Sequence, residues 1–214
     1  MCEQVIKAIE AHKIIVILRG VEREALIPLC EAMYAGGIRL LECTYDACGR
    51  IADEEIAARL EMLNRHFAGR MYFGAGTVLT KKQVALTAQA GGGFIISPDT
   101  DPEIIAATKA AGLVSVPGAI TPTEIARAHR AGADFVKVFP ADLYGPKYIK
   151  TLSAPLSHVR MLAVNGISAE NMTDYLAAGA CGVGVGSGIA DKKLIAAGDF
   201  DGITALAKRY TEKL

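Results

Sequence analysis

Five times in this chain an Ala-Gly pair closes an amphipathic stretch just ahead of an apolar run: Ala35-Gly36, Ala90-Gly91, Ala111-Gly112, Ala131-Gly132 and Ala178-Gly179. Each pair suits a left-handed helix end, so each reads as a stop before the next strand. The apolar runs read as eight strands: Ile14 to Leu18, Arg39 to Thr44, Met71 to Gly74, Phe94 to Ser97, Leu113 to Val116, Phe135 to Phe139, Met161 to Val164 and Gly182 to Gly186. The helices between them are entered through capping signals at Thr80 with Gln83, Thr100 with Pro102 and Glu103, and Thr121 with Pro122 and Glu124. Eight strands alternating with helices predict an α/β fold closed as a parallel (β/α)8 TIM barrel, with its active site at the carboxyl ends of the strands. An open doubly wound sheet is the competing architecture. Against it, the first strand ends in Arg19-Gly20-Val21-Glu22 instead of a G-x-G-x-x-G turn, and no Walker lysine motif occurs.

The 214 residues, 51% of them hydrophobic, suit one barrel-sized domain over 1–214, opened by a short helix with Val5, Ile6 and Ile9 on one side. Lys+Arg and Asp+Glu both number 23, so nothing draws the whole chain to nucleic acid or to an anionic membrane, and any anion binding must be local. No apolar run reaches membrane-spanning length, and the opening residues lack a signal core, which predicts a cytoplasmic protein. The five cysteines are scattered among predicted helices and strands and read as free thiols. Cys43 and Cys48 have no CxxC pair or nearby histidine to complete a zinc site.

Within the sixth strand, Phe135-Val136-Lys137-Val138-Phe139-Pro140, a lysine stands in a segment that reads as buried on both faces. Desolvation favours its neutral amine, the form that attacks carbonyls, so Lys137 is a candidate Schiff-base nucleophile. An interior ion pair, or a stem reaching out to solvent, gives the same sequence. Strand two carries a carboxylate, Glu42, in Leu40-Leu41-Glu42-Cys43-Thr44. Leu40, Glu42 and Thr44 share one face, as do Phe135, Lys137 and Phe139. If both sets face the barrel interior, Glu42 and Lys137 meet near its top, as a structural ion pair or as the acid and base that Schiff-base chemistry needs.

Other strand ends add small and polar groups. Gly74-Ala75-Gly76-Thr77 allows close backbone approach beside a hydroxyl, and Val116-Pro117-Gly118 makes a rigid corner. The last two strands end in Val164-Asn165-Gly166 and Val185-Gly186-Ser187-Gly188, suited to a phosphate held by backbone N–H groups. The alternating Gly182, Gly184 and Gly186 also read as room for helix packing.

Taken together, Ile17-Leu18-Arg19, Leu41-Glu42, Gly74 to Leu79, Ile96-Ser97-Pro98, Val116-Pro117-Gly118, Lys137-Val138-Phe139-Pro140 and Gly184-Val185-Gly186-Ser187 carry a resemblance over nearly the whole chain. The chain resembles the class I aldolases that split 2-keto-3-deoxy-6-phosphogluconate, a family that includes 4-hydroxy-2-oxoglutarate aldolases and a 6-phosphogalactonate branch. The resemblance implies an imine on Lys137, with Glu42 as general acid and base. It implies a substrate pocket shaped by Arg19, Thr77, Pro117, Phe139 and Val164, and a phosphate site at Asn165, Gly166, Gly186 and Ser187. It implies homotrimers, and neither metal nor cofactor.

Two positions depart from the gluconate-specific pattern. Asp46 stands where an arginine usually grips the substrate carboxylate, and Ala163-Val164-Asn165-Gly166 replaces a Pro-Thr-Gly-Gly loop. The galactonate branch resembles this chain better at both places, and in the stretch Tyr144 to Lys150. Three functions are therefore expected, in descending order: cleavage of a 2-keto-3-deoxy-6-phospho sugar acid to pyruvate and glyceraldehyde 3-phosphate, cleavage of 4-hydroxy-2-oxoglutarate to pyruvate and glyoxylate, and sugar-phosphate binding without turnover.

Overall fold

A computed structural model of the protein describes residues 2–214. The chain starts with α1 (Cys2–His12) and then alternates β1 (Ile14–Leu18), α2 (Arg23–Ala35), β2 (Leu40–Thr44), α3 (Asp53–His66), β3 (Tyr72–Gly76), α4 (Lys81–Gln89), β4 (Phe94–Ile96) and α5 (Pro102–Ala110). Two short segments follow, β5 (Val114–Val116) and β6 (Gly118–Ala119), then α6 (Pro122–Arg130), β7 (Val136–Val138), a 3-10 turn (Ala141–Leu143) and α7 (Gly145–Ser153). The second half ends with β8 (Met161–Val164), α8 (Met172–Ala177), β9 (Gly182–Val185), α9 (Lys192–Ala197) and α10 (Phe200–Thr211). No helix among the described residues is long and apolar enough to cross a membrane.

All strand pairs are parallel, in the order β5-β4-β3-β2-β1-β9-β8-β7-β6. The two ends of that order, β5 and β6, are consecutive in the chain, so the sheet closes into the expected (β/α)8 barrel. The predicted fifth strand stops, as expected, before Pro117, which has no N–H to give to a ladder, and beyond that corner a further two-residue strand, β6, is added. On one side of the proline Ser115 pairs with Ile95 of β4; on the other Gly118 pairs with Lys137 of β7, and the Pro117 carbonyl accepts from the Lys137 N–H at 2.9 Å.

Side-chain alternation splits the apolar residues into two layers. Leu41, Cys43, Val136 and Val138 face the surrounding helices. Ile15, Leu40, Phe94, Val114, Phe135 and Leu162 fill the barrel, where Val5, Ala8 and Ile9 of α1 join them from the amino-terminal end. The short opening helix is thus the floor of the barrel. Glycines clear space inside this layer: a Cβ on Gly184 would lie 2.8 Å from Val164, and one on Gly182 would meet Leu162 and the Lys13 carbonyl. The alternating glycines of β9 therefore make room within the barrel and not for helix packing.

Most predicted helix boundaries hold. Thr80–Gln83 and Thr121–Glu124 form complete capping boxes. Before α5 the cap is Asp101, whose carboxylate accepts from the Glu103 N–H at 2.8 Å, whereas the Thr100 hydroxyl donates to the Gly118 carbonyl. Gly91, Gly112, Gly132 and Gly179 take the left-handed conformation expected of them. In the first pair it is Gly37, at φ 93°, that does so. Gly36 keeps φ −80° and instead lets α10 approach, since a Cβ there would collide with Ala207. All five cysteines are free; burial pushes the Cys43 and Cys181 thiols up to about 12, which keeps them protonated and unreactive.

Candidate active site

The carboxyl ends of the strands surround a cavity of about 910 Å³, large enough for a small metabolite. Lys137 rises into it from β7 and Glu42 from β2, only 8% and 3% exposed. Burial lowers the Lys137 amine below its ordinary range, against the pull of Glu42. Burial likewise raises the Glu42 carboxyl to about 7, against the pull of Lys137 and Arg19. The two form no direct ion pair and sense each other across the cavity, so neither is tied up in a closed salt bridge. Lys137 Nζ stands 4.7 Å from the centre of the Phe139 ring, two residues along the same face.

Glu42 fits because position 76 is a glycine. A Cβ there would lie 2.5 Å from Glu42 Oε1 and 2.6 Å from Cδ. Next to it Thr77 sits at φ 57°, a conformation that costs a β-branched residue energy, and its Oγ1 accepts from Arg19 Nη2 at 3.0 Å. That bond ties the end of β1 to the end of β3 across β2.

Asn165 takes the left-handed backbone anticipated for it, at φ 83°, and Gly166 follows at 68°. The Asn165 amide donates to Asp142 Oδ1 at 2.6 Å, and a Cβ on Gly166 would strike the Asp142 side chain. Asp142 is thus a neighbour of this loop that sequence reading missed. The space around Gly186 is open, with nothing within 4 Å of where its Cβ would be.

The structure gathers Lys137, Glu42, Arg19, Thr77, Phe139, Val164, Asn165, Gly166, Gly186 and Ser187 around the one cavity. Pro117 is not on its wall; it serves the strand crossover instead. Pro98 and Lys192 are on the wall and were not anticipated as site residues. Asp46 is also off this wall. It lies in a side chamber, where its carboxylate accepts from the N–H groups of Cys48 and Arg50 and from Arg50 Nε and Nη2. Arg50 and those N–H groups hold the Asp46 carboxyl down to about 2. Its charge closes a turn. Among the described residues, no three His, Cys, Asp or Glu side chains cluster closely enough to hold a metal ion.

A parallel barrel that raises a buried amine, shifted down, and a buried carboxyl, shifted up, into one cavity has the layout of an enzyme of small carbonyl compounds. Comparison with known proteins narrows that class. The family model for KDPG and KHG aldolases matches residues 5–206. The 2-dehydro-3-deoxy-phosphogluconate aldolase of Treponema pallidum (strain Nichols) is 35% identical over 96% of this chain and 95% of its own. The 2-dehydro-3-deoxy-6-phosphogalactonate aldolase of Escherichia coli (strain K12) is 33% identical over 81% and 82%. Among solved structures, the KDPG aldolase of Legionella pneumophila, with pyruvate captured as a covalent carbinolamine, superposes with a TM-score of 0.85 at 30% identity, covering 95% of this chain and 96% of that one. The chain belongs to the KDPG and KHG aldolase family and is an aldolase, a carbon–carbon lyase.

Proposed function

We propose that this aldolase cleaves a 2-keto-3-deoxy-6-phospho sugar acid, of the gluconate or galactonate type, to pyruvate and glyceraldehyde 3-phosphate through an imine on Lys137. The observation that carries the reading is a buried amine shifted down and a buried carboxyl shifted up, facing one cavity. The neutral amine adds to the C2 carbonyl. Glu42 then protonates the departing hydroxyl of the carbinolamine and water leaves. The protonated imine accepts the electron pair of the C3–C4 bond as it breaks, while a base takes the proton of the C4 hydroxyl. Protonation of the enamine at C3 gives the pyruvate imine, which water hydrolyses. A carboxyl near 7 can give and take protons in turn at neutral pH. The covalent pyruvate adduct in the Legionella pneumophila relative is chemistry of the same kind.

Borohydride reduction in the presence of pyruvate should leave a covalent adduct on Lys137, read by peptide mass spectrometry. An unchanged mass, or an adduct on another lysine, removes this mechanism.

Cleavage of 4-hydroxy-2-oxoglutarate to pyruvate and glyoxylate is the second reading, favoured by one observation: Asp142 adds a carboxylate beside the Asn165-Gly166 loop, where a phosphate would otherwise rest. Side-by-side turnover of the gluconate, galactonate and oxoglutarate compounds decides between them. Membership of an aldolase family leaves the non-catalytic reading without support.

We also read the assembly as a cytoplasmic homotrimer. Free cysteines suit a reducing compartment, and Leu143 and Tyr144, 66% and 62% exposed on the loop after β7, need a cover. Light scattering should give three times 22.6 kDa.

A further inference from the structure

Beside the main cavity lies a chamber of about 450 Å³ between the ends of β1 and β2. Four residues line both: Arg19, Gly20, Val21 and Lys192. The other cations of the side chamber are already engaged, Arg50 by Asp46 at 3.1 Å and Arg59 by Glu55 at 2.8 Å. Arg19 and Lys192 pair with no carboxylate among the described residues, and Arg19 donates instead to the neutral Thr77 hydroxyl. The uncompensated positive charge of the rim is therefore concentrated in the wall that the two spaces share. Lys192 shares the wall of the main cavity with Gly166, Gly186 and Ser187. The Asp191 carboxylate accepts from the N–H groups of Lys193 and Leu194, which fixes the turn that carries Lys192 while leaving its side chain free. Glu22, an exposed residue at the start of α2, is the one other acid on that wall besides Glu42.

We propose that Lys192 is a specificity-determining residue that meets the terminal phosphate of the substrate as it lies against the Gly186-Ser187 loop, and so separates phosphorylated sugar acids from 4-hydroxy-2-oxoglutarate. This rests on the reading of a phosphorylated substrate given above. An ammonium on a flexible four-carbon stem is a point charge able to follow a rotating phosphate dianion, and it complements backbone N–H donors that fix position but carry no net charge.

The test is steady-state kinetics on both compounds with the wild type, Lys192→Ala, Lys192→Arg and Lys193→Ala. The last removes an equal charge one residue away, from a side chain off the cavity wall. Lys192→Ala should raise KM for the phosphorylated sugar acid about 10-fold, with kcat nearly kept, while KM for 4-hydroxy-2-oxoglutarate moves less than about twofold. Lys192→Arg should recover most of the loss, and added salt should shrink the difference. An equal rise in both KM values, or the same effect from Lys193→Ala, overturns the proposal. A wild type that prefers the phosphorylated compound and keeps that preference in Lys192→Ala sinks the role of Lys192 alone. A wild type with no such preference sinks the substrate reading, and this role with it.

Discussion

Burial holds the Glu42 carboxyl up to about 7, and folding stability must follow pH through it. That carboxyl lies near 7 in the fold against 4.5 as a free side chain. Between those values the folded chain holds a proton that the unfolded chain has lost, so this residue's contribution falls as pH rises from 4.5 to 7 and stays low above it. Glu42→Gln keeps the shape and removes the titration. Urea unfolding should find the variant no more stable than the wild type at pH 4 but more stable at pH 8, by on the order of a few kcal/mol. Its kcat should drop roughly 10²- to 10⁴-fold, the usual worth of a positioned acid and base. Gly76→Ala tests the same carboxyl by steric means. With Oε1 2.5 Å from the new methyl, Glu42 must move, and activity should fall by at least about 10-fold while stability drops about 1–3 kcal/mol. The presence of Glu42 and Lys137 was legible in the sequence, because a charged residue in an apolar strand stands out. The clearance that Gly76 provides was not, because it joins residues of two strands whose register only the closed sheet fixes.

Elements were legible where their signals are local. The Thr80 and Thr121 boxes each need only four neighbouring residues, and both formed as predicted. The cap of α5 shows the limit: Thr100 and Asp101 both suit the role, and the Gly118 carbonyl, eighteen residues on, claims the threonine. Asp101→Ala should therefore cost about 1 kcal/mol of stability through its lost cap. Thr100→Ala should act through the β6 corner instead, and thermal unfolding of both, alone and combined, should show additive losses. α1 offers a larger effect. Ile9 is wholly buried against the barrel layer, so Ile9→Ala should cost about 2–5 kcal/mol in urea unfolding with KM unchanged, because that contact lies at the end of the barrel remote from Lys137.

For the whole molecule, closure was inferred from a count of strands, and the count succeeded because each strand pairs with the next in sequence. What the count missed is how the ring is joined: past the Pro117 corner, which the sequence does mark, a two-residue strand, β6, makes the pairing with β7 that β5 does not, and two residues are too few to show a strand pattern. We propose that the closed ring and its floor unfold as one domain. Fluorescence and circular dichroism should then trace a single coincident transition in urea; separate midpoints would reveal parts that open independently.

Because α1 stoppers the barrel from below, the amine is reached from the carboxyl ends of the strands. On the proposed imine mechanism pyruvate stays tethered to Lys137 when the aldehyde breaks away, so the aldehyde should leave first and pyruvate follow. Product-inhibition patterns should reveal that order, with pyruvate competing against the sugar acid and glyceraldehyde 3-phosphate giving noncompetitive inhibition.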